Sequence, residues 1–169
     1  MERKEFDFEN LELAKSKDIR SYLKMYEAQT LMVGKVSRQY PALLRGVPEN
    51  ILEIDSGFAD ELVMVSGNFD LSIPATCVIG SSLARRLGLR VGDSVNLLAL
   101  SGSEDTELFS SNRNLTVVGT FTSGYSEINQ TFAFVSLDTA EYLLGEEVIP
   151  LTCIKLKNQN QDARMISKI

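Results

Sequence analysis

The sequence predicts an α+β domain with mixed sheets and hairpins, and three observations carry that expectation. A long strand-like run, 19–33, meets a Gly-Lys turn and a second apolar run. CVIGSSLARRLGLRVGDSVNLLAL reads as strand, helix, turn and strand. LTVVGTF and TFAFVSL then precede a capped helix and a further strand, LTCIKLK. With 169 residues the chain has the length of one domain or two small lobes and can bury a core without staples. Apolar residues at 44% and charged residues at 24% match globular composition and not disorder.

The elements follow in order. Leu11, Leu13 and Ala14 among mixed charges predict a short helix over 9–16, and Ile19 to Val33 predicts a strand. Gly34-Lys35 predicts a hairpin turn in which Gly34 supplies a positive φ, and Pro41 predicts a sheet edge or a bulge. Pro48 to Asp70 mixes turn residues with short apolar groups, so it reads as a loop, a helical turn near Phe58 to Leu62, and a turn at Gly67-Asn68. Ser81 or Ser82 is expected to cap a helix whose apolar stripe is Leu83, Ala84 and Leu87 and which ends at Gly88. After a Gly92-Asp93 turn, Val95, Leu97 and Ala99 alternate with Ser94, Asn96 and Leu98 as in a half-buried strand. A polar loop covers 101–114, and a turn at Ser123-Gly124 separates LTVVGTF from TFAFVSL. Ser136 or Asp138 caps a helix ending near Gly145, and another helix begins at Gln161.

Composition removes whole classes of function. The formal charge of −6, from 17 basic and 23 acidic residues, opposes nucleic-acid binding and adsorption to anionic lipid, both of which need clustered Lys and Arg. No run approaches the roughly 20 apolar residues of a membrane span, and the start lacks a signal peptide's apolar core. Its abrupt ends predict a piece of a longer protein. The absence of His removes the usual general base, the Ser-His and Cys-His pairs and most zinc sites. Ser21 to Lys24 matches S-x-x-K, but on a strand and without its companion motifs, so it reads as chance. Cys77 and Cys153 sit in apolar strands and read as small buried hydrophobes. Glu104, Asp105 and Glu107 read as a solvated acidic loop. Asn114-Leu-Thr116 and Asn129-Gln-Thr131 match the glycosylation pattern by chance. No cofactor and no metal is expected.

The loop 101–114 carries the one candidate site. Leu108 and Phe109 stand among polar residues at the tip of an expected hairpin, where an apolar pair suits a partner-binding surface. The alternative, that both fold back over the core, stays equally open.

GSSLARRLGLRVGDSVNLLAL followed by NLTVVGTFTSGYSEINQTFAFVSLDTAEYLLG, with YEAQTLMVGKVSRQYPALLRGVPEN before them, resembles the extracytoplasmic domain of lipoprotein-releasing permeases of the LolC/LolE type and their MacB and FtsX relatives. The resemblance implies a MacB-type periplasmic core domain on the outer face of the bacterial inner membrane. A Porter-like α/β lobe would comprise 1–50 and 137–169, and a Sabre-like β-rich lobe 51–136, with a projecting hairpin at 101–114. It implies a non-catalytic module: ATP is hydrolysed by a separate cytoplasmic ATPase. The implied partners are a periplasmic carrier or adaptor protein, or lipoprotein cargo, and the membrane-embedded parent is a homo- or heterodimer. The stretch matching the family's hook is Ser101 to Asn114, with Leu108 and Phe109 as anchors and Glu107 and Arg113 at the rim. It departs from the pattern by lacking Pro and carrying three acids. The resemblance also implies apolar, helix-length flanks beyond both ends. LGLRVGDSV separately resembles the turn of AbrB-type and double-psi barrels, which include DNA-binding proteins and enzymes. A stand-alone periplasmic interaction protein is the third reading.

Overall fold

A computed structural model of the chain describes residues 19–100, 113–145 and 151–156. The chain divides into two compact units, residues 25–150, and residues 1–24 with 151–169. The helices expected at 9–16 and from Gln161 lie outside the described residues.

The first strand, β1 (Ile19–Val33), enters the larger unit at Met25 and there turns back into β2 (Gln39–Val47) as an antiparallel pair. The hairpin is present, but Gly34 does not supply a positive φ. Its φ is −101°, and the left-handed residues are Val36 and Ser37 in a 3-10 turn over Lys35–Ser37. Glycine is required at 34 by close approach, since a Cβ there would stand 2.3 Å from the Leu87 carbonyl oxygen. Pro41 pairs with Leu31 of β1 before the pairing of β2 with its other neighbour begins at Leu43, so its missing N–H costs no bond on that second side.

The stretch over 48–70 holds α1 (Ile51–Ile54), α2 (Ser56–Glu61) and a short strand, β3 (Val63–Gly67). The helical turn expected near Phe58 to Leu62 is present within α2, whereas the first short helix and the strand are not suggested by the sequence. Asp55 caps α2 by accepting from the Phe58 N–H at 3.1 Å. Next come β4 (Thr76–Gly80) and α3 (Ser81–Leu87). Neither Ser81 nor Ser82 caps α3: Gly80 holds that position without a side-chain bond. Leu83, Ala84 and Leu87 are buried as the helical spacing predicts, and Gly88 closes the helix at φ 70°. Beyond the Gly92 turn, β5 (Ser94–Leu100) and β6 (Asn114–Thr122) are antiparallel neighbours. A helix, α4 (Ser126–Thr131), fills what reads as a simple turn. β7 (Phe132–Ser136) and α5 (Leu137–Leu144) follow, with Ser136 as the predicted cap.

The strands close on themselves. The order β2-β7-β4-β6-β5-β1 is completed by the β1–β2 hairpin, forming a ring with both parallel and antiparallel pairs. Alternation then sorts the side chains. Cys77 and Ile79 of β4, Leu115 and Val117 of β6, and Ala133 and Val135 of β7 share one core with Leu83, Leu87, Leu143 and Leu144 of the helices. From the opposite faces, Phe121 packs on Phe134, and Phe134 meets Phe58 of α2 and Phe69, which lies just beyond β3. Ring centroids there are 5.1 to 5.9 Å apart. The segment from α1 to Phe69 is therefore an outer layer on the ring, fastened by aromatic contacts. In the smaller unit the described residues are strand: the first residues of β1, and β8 (Leu151–Leu156), its neighbour in the sheet order.

Candidate functional site

Of the four residues singled out for partner binding, Glu107, Leu108 and Phe109 lie outside the described residues. Arg113 is described, and it is buried, with 4% of its surface exposed. Burial to that degree departs from the solvated rim expected for Arg113. Asn114 follows it, exposed, and leads into Leu115, which is buried.

Asn114 and Leu115 also line a cleft of about 510 Å³, the size that takes a few side chains or a small organic ligand. Leu71, Leu115 and Leu143 are its buried apolar members, while Glu49, Asp138 and Tyr142 stand exposed around it. The cleft exists because α5 is tied to the turn before β4. The Thr139 Oγ1 accepts from the Ala75 N–H at 3.3 Å and from the Ser136 hydroxyl at 2.9 Å, while the Thr139 N–H donates to Ser136 Oγ at 3.1 Å. Ala75 adopts φ 57°, an uncommon conformation for a residue with a Cβ. Its carbonyl accepts from the Thr116 N–H at 2.9 Å, so both of its backbone polar groups are used. No sequence motif marks this cleft, because its walls come from four separate segments.

Burial pushes the Cys77 thiol up to about 12, so it stays protonated and is no nucleophile. Side chain and backbone of Ser72 both donate to Asp70 and hold its carboxyl below the usual range. Asp93 is lowered first by the Lys35 ammonium, 2.9 Å away, and then by the Arg90 N–H at 2.8 Å. In LGLRVGDSV the Gly92 N–H donates to the Val117 carbonyl, and the Val117 N–H to the Asp93 carbonyl. That motif is thus consumed in holding the turn on β6. Asn129, in a glycosylation-like triplet, is likewise occupied: its amide takes three bonds with Ser123.

Comparison with known proteins gives three consistent results. Residues 5–169 match the family model of the MacB-like periplasmic core domain. The lipoprotein-releasing system transmembrane protein LolC from Xylella fastidiosa strain 9a5c is 31% identical over 140 residues, covering 80% of this chain. The LolC of strain Temecula1 matches to the same extent. The chain spans about a third (32%) of the length of these relatives. Among solved structures, the extracellular domain of the ABC-type transporter YknZ from Gram-positive bacteria aligns with a TM-score of 0.59 at 11% identity. That alignment covers 91% of this chain and 74% of that one. The periplasmic region of MacB from Actinobacillus actinomycetemcomitans gives 0.55 at 15% identity, covering 93% and 67%. A permease domain from Porphyromonas gingivalis gives 0.52 at 17%, covering 90% and 64%.

Proposed function

The chain belongs to the family of MacB-like periplasmic core domains, and we propose that it is the non-catalytic periplasmic domain of an ABC-transporter permease, handling a partner protein or lipoprotein cargo. In this reading a separate cytoplasmic ATPase drives a dimeric, membrane-embedded parent, and 101–114 is the element that captures the partner. The observation that carries it is the family match over 5–169, with that segment inserted between β5 and β6. The position of Asn114 and Leu115 in the cleft supports it, because a partner held by the segment would find apolar surface immediately beside it. Leu108 and Phe109 serve as anchors and Glu107 as a steering charge, while buried Arg113 fixes the segment's base. The division into a Porter-like lobe (1–50, 137–169) and a Sabre-like lobe (51–136) remains part of this proposal.

Site-specific photocrosslinking from position 109 of the full-length permease in cells tests the reading. A discrete crosslink to a periplasmic protein or lipoprotein is expected. Phe109→Ala should weaken partner binding by about 1–3 kcal/mol, and Glu107→Gln by far less. If Phe109→Ala lowers the melting temperature by several degrees and leaves partner capture unchanged, the side chain belongs to the core and the capture role is wrong.

A further inference from the structure

Among the described residues β3 pairs along one edge only, with β6. The ring strands each have neighbours on both sides, so β3 presents an open ladder that they do not. Val63 and Val65 on it are each 59% exposed. Edge strands are ordinarily blunted by Lys or Pro, and β3 has neither. Its shortness, five residues, and a bulge at Val65 limit an added strand to a short one without closing the edge. From behind, β3 is held firmly: Ser66 Oγ and Thr120 Oγ1 lie 2.8 Å apart, and the Asn68 N–H donates to the Val118 carbonyl at 3.2 Å.

Charge says what kind of chain fits that edge. Between Arg45 and Arg85 the sequence has no Lys or Arg, but it has Glu49, Glu53, Asp55, Asp60, Glu61 and Asp70. Those six acids equal the net charge of the whole chain, 17 − 23 = −6. Asp60 and Glu61 immediately precede β3, Asp70 follows it closely, and all three are exposed. A second copy of this edge would bring like charges to both ends of the pairing, which disfavours self-association.

We propose that β3 accepts an extended, basic strand from a protein partner, with apolar residues laid against Val63 and Val65 and Lys or Arg beside the flanking acids. Such strand addition takes its affinity from main-chain bonds and its selectivity from alternate side chains. This site uses none of the residues 101–114, so the two proposals are tested independently.

The probe is a synthetic peptide of alternating Lys and Val, added to the 15N-labelled 169-residue chain and followed by amide shifts and hydrogen exchange. Protection of the Val63–Gly67 amides is expected. N-methylation of the peptide's pairing edge, or the double substitution V63K/V65K with an unchanged melting temperature, should each weaken binding by roughly tenfold. A Glu/Val counterpart should not bind. Should V63K/V65K disturb the fold, D60N/E61Q provides the same test through charge, with a smaller loss expected. The proposal is overturned if the N-methylated peptide binds as well as the parent, or if neither peptide binds. Shifts confined to the cleft, or to residues flanking 101–112, overturn it equally, as does pairing of β3 with a second copy of the chain.

Discussion

Two regions of unit 25–150 bury their hydrophobic residues in different ways. In the ring, neighbouring strands place Cys77, Ile79, Val95, Leu97, Leu115, Val117, Ala133 and Val135 at every second position, and the apolar stripes of α3 and α5 join the same core. In the outer layer single residues, Phe58 and Phe69, reach down to Phe134, while Val63 and Val65 of the intervening strand face solvent. The ring is stabilised by a repeating pattern and the layer by a few large anchors. The pattern distributes its loss over many residues, whereas the anchors concentrate it.

Substitutions at the junction separate these two modes. Phe134 touches Phe58, Phe69, Phe121 and Phe132, so Phe134→Ala should cost about 3–5 kcal/mol in urea unfolding and strip hydrogen-exchange protection from β3 first. A loss confined to the ring amides would show that the layer is not held by this cluster. Within the ring, Leu87→Ala should cost about 2–5 kcal/mol, since the side chain is fully buried; a loss below about 0.5 kcal/mol would remove it from the core. Smaller still is the cap of α5, where Ser136→Ala should cost about 1–2 kcal/mol and loosen the cleft through Thr139.

The gentlest probe is pH. Asp93 in the ring and Asp70 in the layer both titrate below their ordinary values when folded, so each contributes stability that is present above the usual carboxylate range. That contribution is lost as pH falls through the folded values, below about pH 4. Asp93→Asn should flatten this acid limb for the ring amides and Asp70→Asn for those of the layer. An unchanged limb in both variants would assign acid sensitivity to other carboxylates.

The same contrast explains what the sequence discloses. β1, α3, β5, α5 and β8 carry alternation, helical spacing or caps in consecutive residues, and they stand where those signals place them. β3 carries no such signal: its pattern is VMVSG, with both outer valines exposed, and it is a strand only because β6 lies beside it. α4 escapes notice because SEINQT offers no apolar stripe, and Asn129 shapes its approach through bonds to Ser123. The need for glycine at 34 comes from close approach to Leu87, a neighbour far along the chain, and not from a positive φ, which Val36 and Ser37 adopt instead. The cleft was unreadable for the same reason. The capture segment shows the reverse case: Leu108 and Phe109 stand out in the sequence, while the burial of Arg113 emerges only in three dimensions.

Ring closure has a kinetic consequence. β1 meets β2 almost at once, but its other ladder, Thr30 to Val33 against Leu100 to Asn96, waits until the chain has been made through β5. The β2–β7 pair must wait longer, until Phe132 to Ser136 are present. Chain-closure entropy is spent before those contacts return any stabilisation, so this topology belongs with slow folders of milliseconds to seconds. Until then the hairpin formed by the first two strands exposes two unpaired edges, the interval in which a chaperone or a misplaced neighbouring strand competes most effectively for it.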